Sequence, residues 1–186
     1  MSNNDKNDYA FMVGSPAGLV VMRPDKLAHH HTILYEIDML RFTYDRMFVL
    51  ACEPRTNFAS GEVWVHLESF LVHYRSLLDF FGSANPWPDD LTILGPKEIW
   101  TKEWNLEGCS PDQSTLTRLH KKGAELREKY EGQSAQGTIS KFLQHCTTAR
   151  TDFKQWDIGE MMSDIEELIS EVERHLPEFK PATGQG

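Results

Sequence analysis

Apolar residues recur at alternating intervals of three and four along five stretches of this chain, a period that a helix satisfies and a strand does not. The first stretch predicts a helix from about Asp25 to Cys52, ended by Pro54. Ile33, Ile37, Leu40, Tyr44, Met47, Phe48 and Ala51 share one face of it. Tyr35, Phe42 and Val49 lie on the opposite side, so the helix is expected to pack on more than one side. The second helix should run from Gly61 to Phe81, capped by Ser60 and stopped by Gly82, with Val63, Leu67, Phe70, Tyr74, Leu77 and Phe81 inward.

The third helix has the clearest start signal. Ser110-Pro-Asp-Gln113 reads as a capping box with serine at the cap. Leu116, Leu119, Gly123, Leu126 and Tyr130 follow as its stripe. Gly123 within that stripe permits a close helix contact, and Gly132 is a stop signal. A fourth helix is expected from Gln136 to Trp156, with Ile139, Phe142, Cys146, Ala149 and Phe153 inward. Asp157-Ile-Gly-Glu160 is a second capping box. It opens a fifth helix to about Leu176, stopped by Pro177, with Met161, Ile165, Leu168, Val172 and Leu176 inward.

Five amphipathic helices without a strand series define an all-α bundle of four to five helices. With 186 residues, folding hides roughly 70% of the unfolded chain's surface, enough for a core without metal or disulfide. The expected division is an irregular N-terminal extension over 1–24, the bundle over 25–177, and a flexible tail over 178–186. Residues 9–22 should include a short extended segment, where Val20, Val21 and Met22 follow a Gly/Pro turn. The long connection from Gly82 to Cys109 is expected to cover one end of the bundle.

Charge narrows the partners. Nineteen basic against 28 acidic residues give a net charge of -9, which repels phosphate backbones at long range. The one basic group, Arg118, Lys121, Lys122 and Arg127, reads as a solvated helix face. Three widely spaced cysteines, Cys52, Cys109 and Cys146, form no CxxC and fit a reducing compartment. Cys52 and Cys146 are expected in the core. No apolar run is long enough for a membrane span. The N-terminus lacks the positive region of a signal peptide, so the expected setting is cytoplasmic.

Polar residues within the apolar stripes are the candidates for chemistry. On the second helix Glu68, Arg75 and Asp79 fall within roughly 40° of one another, either as a surface ladder or as a polar channel between helices. His66 and His73 sit at the edge of the apolar stripe, about 10 Å apart along the axis, too far to grip one metal. On the fourth helix Arg150 projects near the apolar side and requires an acidic partner, for which Glu68 and Asp79 are the candidates. His29, His30 and His31 point in three directions and are expected to be solvated. There is no P-loop, HExxH, GxSxG or Glu-x-x-His pair, and no metal or other cofactor is expected.

The stretch from Leu67 to Phe81 resembles the E-x-F-L-x-H-x-R-x-L-x-D-F-F signature of a family of small bacterial helical proteins. His145-x-Thr-x-x-Arg150 is similar to that family's second motif. The arrangement more distantly resembles the HEPN superfamily of helical bundles. Many of its members are dimeric ribonucleases of toxin–antitoxin, abortive-infection and CRISPR systems. Their mark is an Arg followed four to six residues later by a His, whereas this chain has His145 before Arg150. The resemblance implies an RNA- or nucleotide-handling part of a stress or defence system, and a homodimer. His73 or His145 would be the acid/base, and Arg75 and Arg150 would hold the anionic charge. The alternative is a non-catalytic interaction or regulatory module with a protein partner, in which these residues, with Glu68 and Asp79, form a buried polar network.

Overall fold

The computed structural model describes residues 11–15, 18–22, 29–52, 61–85, 90–94, 111–132, 139–144 and 155–175. An antiparallel hairpin comes first, β1 (Phe11–Ser15) and β2 (Gly18–Met22), in which Phe11 pairs with Met22 and Ser15 with Gly18. Among the described residues five helices follow: α1 (His29–Cys52), α2 (Gly61–Gly82), α3 (Gln113–Glu131), α4 (Ile139–Gln144) and α5 (Ile158–Glu173). The protein is an all-α helical bundle. The expected spans 1–24 and 178–186 are, apart from the hairpin, outside the described residues.

The helices form where the apolar period places them, and α2 is central. It packs against α1, α3 and α4, while α5 packs on α3 and α1. Ile33, Ile37, Leu40, Phe70, Tyr74, Leu77, Phe81, Leu119, Ile139, Met161, Ile165 and Val172 are fully or almost fully buried in one cluster. The α1–α2 pair is antiparallel. Its cross-contacts run Glu36 to His73, Phe42 to His66 and Arg46 to Glu62, so the α2 number falls as the α1 number rises. The turn at Ile93 is tied down by its N–H, which donates to the Phe80 carbonyl at 2.8 Å.

Where α2 meets α3, the contact is backbone against backbone. A Cβ on Gly123 would lie 2.5 Å from the Cβ of Phe81, and one on Gly82 would lie 2.5 Å from the Gly123 carbonyl carbon. The close approach expected of Gly123 is thus present, with Gly82 as its counterpart. Both are buried. Gly132 ends α3 as expected, its N–H donating to the Glu128 carbonyl at 3.0 Å.

Several boundaries differ from the sequence expectation. The α3 cap is Asp112 rather than Ser110: its carboxylate accepts from the Thr115 N–H and the Ser114 hydroxyl, each at 2.7 Å. Those hydrogen bonds hold the Asp112 carboxyl below its ordinary pKa. Asp157 caps α5 as expected, accepting from the Glu160 N–H at 2.9 Å, but Glu160 turns its own carboxylate to Lys129. The fourth helix does not reach Trp156, because Gln155–Asp157 is non-helical backbone that Asp157 needs in order to cap α5. On α1, Phe42, Phe48, Val49, Ala51 and Cys52 are exposed. The second apolar side of α1 is therefore exposed at Phe42 and Val49, and Cys52 is not a core residue. His31 is half-buried rather than solvated.

Helix α5 adds an ionic ladder to its apolar stripe. Arg118 meets Glu171 at 3.4 Å, Lys122 meets Glu167, and Lys129 meets Asp164 at 2.8 Å and Glu160 at 2.7 Å. Of the basic face expected to be solvated, Arg118, Lys121 and Arg127 are indeed exposed; Arg118 and Lys122 also reach carboxylates of α5, and Arg127 reaches Asp79 of α2. On the other flank the Arg41 guanidinium spans Glu166 and Glu173, with 2.5 Å and 3.0 Å contacts to Glu173.

Two phenols give the fold a marked alkaline limit. Burial, followed by the hydrogen bond that its hydroxyl donates to Asp164 at 2.7 Å, pushes Tyr130 up to about 12. Burial pushes Tyr74 higher still. A folded-state pKa raised above the unfolded value of about 10 contributes stability below that pH, and the contribution fades as pH rises toward the folded value. Phenolate absorbance is expected to show a late fraction that appears together with loss of helical circular dichroism above about pH 10. Tyr130→Phe should remove one group from that fraction. Full ionisation near pH 10 with helices intact would contradict the assignment.

Candidate functional site

The described polar candidates gather on the outer side of the α1–α2 pair and at its α3 border. His73 is 8% exposed, and its Nδ1–H donates to Glu36 Oε2 at 2.8 Å. The Tyr35 ring stands edge-on to it, with centroids 5.7 Å apart. Antiparallel pairing explains the contact. Folding α1 back on α2 brings position 36 opposite position 73, and His73 takes the α1-facing side of its helix.

Arg75 and Asp79 are one turn apart on α2 and lie 3.9 Å apart. The Arg127 Nε–H from α3 donates to the other Asp79 oxygen at 3.0 Å. These three groups are each a third to a half exposed, so they form a surface ladder that ties α2 to α3. Glu68 is half-buried on α2. His66 approaches Glu62 at 4.0 Å and meets the Phe42 ring edge-on. His145, Arg150 and Cys146 lie outside the described residues, as does the proposed meeting of Arg150 with an α2 carboxylate.

A cleft of about 290 Å³ opens at one end of the α1–α2 pair. Thr32, Glu36, Ser76, Asp79 and Asp90 give it a polar lining around Ile33, Phe80 and Leu91. Three carboxylates and two hydroxyls make this a place for a cation or a hydrogen-bond donor and an unfavourable one for phosphate. Sequence reasoning identified Asp79 here but not Glu36 or Asp90. Glu36 belongs to α1, and only the antiparallel register connects it with His73. Asp90 belongs to a loop held by the Ile93 to Phe80 backbone bond.

Among the described residues, no group of three His, Cys, Asp or Glu side chains is placed to hold a metal ion. Among the same residues, no helix is long and apolar enough to cross a membrane. Comparison with protein-family models, with curated proteins and with solved structures finds no match for this chain.

Proposed function

We propose that this chain is a non-catalytic interaction module whose histidine, arginine and carboxylate side chains fix one helix arrangement. The carrying observation is the Glu36–His73 hydrogen bond, a half-buried carboxylate closed onto a buried imidazole between the two longest helices. Two further features support the reading. Arg75 and Arg127 both face Asp79, and the adjoining cleft is lined by carboxylates. A phosphodiester approaching it would meet its own sign of charge.

The RNA- or nucleotide-handling reading rests on His145 and Arg150 together with His73 and Arg75. Homodimer formation and a cytoplasmic setting accompany it as proposals. One set of samples tests both readings: wild type, His73→Gln and His145→Ala, each incubated with mixed RNA and each melted. The interaction reading expects intact RNA throughout. It also expects His73→Gln to lose about 1–3 kcal/mol, because Glu36 loses a buried partner. RNA cleavage that disappears in His145→Ala or His73→Gln would overturn it. Sedimentation over a range of concentrations reads the oligomeric state.

A further inference from the structure

Among the described residues, the outer side of the α1–α2 pair carries an exposed apolar strip. Phe42 is 57% exposed on α1, and Val65 and Val72 are 64% and 46% exposed on α2. Val65 and Val72 are seven residues apart, as are Phe42 and Val49, so each pair lies on one helix stripe about 10 Å long. The Phe42–His66 contact and the antiparallel register bring the two stripes together at Phe42 and Val65, from which Val72 runs toward Glu36 while Val49 runs beyond the start of α2. Ser76, one turn beyond Val72, lines the acidic cleft, so strip and cleft form one continuous track.

Charge selects the occupant. Asp38 and Asp45 are exposed on the α1 rim. Glu36, Asp79 and Asp90 line the cleft. The cations described nearby, Arg46, Arg75 and Arg127, already face Glu62 and Asp79. A second copy of a chain with net charge -9 would set acidic rim against acidic rim, a juxtaposition that penalises association. A basic partner is attracted by the same field. The cleft also has the composition to take one long cationic side chain. Ile33, Phe80 and Leu91 can cover a methylene stem, and the head can share the oxygens of carboxylates already engaged within the fold, together with the hydroxyls. The planar guanidinium fork suits paired carboxylate oxygens better than an ammonium does.

We propose that the outer α1–α2 groove docks a basic amphipathic helix of a partner protein, its apolar side on Phe42, Val65 and Val72 and one arginine in the cleft. The proposal rests on the reading of the chain as an interaction module and names that module's partner chemistry. It follows the helix-in-groove mode, with anchors one and two turns apart.

The test uses the full chain and two synthetic probes. One is an amphipathic leucine/alanine/lysine helix with a terminal arginine; the other is the same peptide with neutral citrulline at that position. Binding is followed by fluorescence anisotropy, and circular dichroism checks that each variant keeps its helices. The arginine peptide is expected to bind about tenfold more tightly than the citrulline peptide, with the advantage shrinking at high salt. Asp90→Asn should reduce the arginine peptide's affinity about five- to tenfold and leave the citrulline peptide's unchanged. Val72→Asp should weaken both peptides about tenfold or more. Equal affinity for the two peptides, or no effect of Val72→Asp, would overturn the proposal. Dimerisation abolished by Val72→Asp, without competition from either peptide, would assign the strip to a second copy and also overturn it. Failure of the underlying reading is seen separately, as RNA cleavage lost in His145→Ala.

Discussion

Replacing Gly123 by alanine is expected to destabilise the bundle by about 2–3 kcal/mol. In an open helix the same change would be favourable by up to about 1 kcal/mol. Here the added methyl group would lie 2.5 Å from the Phe81 Cβ and 2.6 Å from its carbonyl carbon. Neither atom can swing aside as the end of a flexible side chain can, so α2 and α3 must separate. Separation would loosen Leu119 and Phe81, both fully buried. For a chain of this length the loss corresponds to a melting temperature lower by about 5–10 °C. Gly123→Val should be more severe. Gly61→Ala is the control, since nothing lies within 4 Å of a Cβ there. An unchanged or raised melting temperature in Gly123→Ala would show that the two backbones do not meet.

Arg41→Met is expected to cost about 2–3 kcal/mol, more than removal of an exposed cation. The Arg41 side chain is about two-thirds buried, and its guanidinium faces Glu166 and Glu173 from α5 at once. Its pKa is raised, first by the hydrogen bond to Glu173. Removing it leaves Glu173, 13% exposed, facing α1 without its cation. Glu173→Gln in the same background should recover part of the loss, because an uncompensated charge is the costly feature. The salt bridge of Arg174 to Glu171 is the contrast. Its side chain is 68% exposed, and Arg174→Met should stay within about 0.5 kcal/mol of wild type. The cycle is read by urea denaturation; equal effects at positions 41 and 174 would refute the difference in burial on which it depends.

The helices of this bundle were legible because their apolar spacing is local information. Leu67, Phe70, Tyr74, Leu77 and Phe81 identify α2 without knowledge of its neighbours, and Gly123 reveals a close contact because little else explains glycine inside an apolar stripe. Caps were legible in position but not always in residue. Asp112 and Ser110 are both good acceptors two positions apart, and the ionised side chain holds the cap. The polar site was half legible. His73 and Asp79 stand out against their own helix, but the partners Glu36 and Arg127 belong to other helices. Which carboxylate meets which cation depends on register and direction of packing, and hydrophobic period does not encode either. The exposure of Phe42 and Val49 was illegible for a related reason: periodicity marks a face as apolar and does not say whether anything covers it.

The pairing along α5 has a consequence for how the molecule behaves among its neighbours. Arg41, Arg118, Lys122 and Lys129 are all turned onto carboxylates of that one helix. Among the described residues, most positive groups are thus paired with carboxylates within the bundle. With a net charge of -9, the chain's long-range field favours encounters with cationic surfaces over anionic ones.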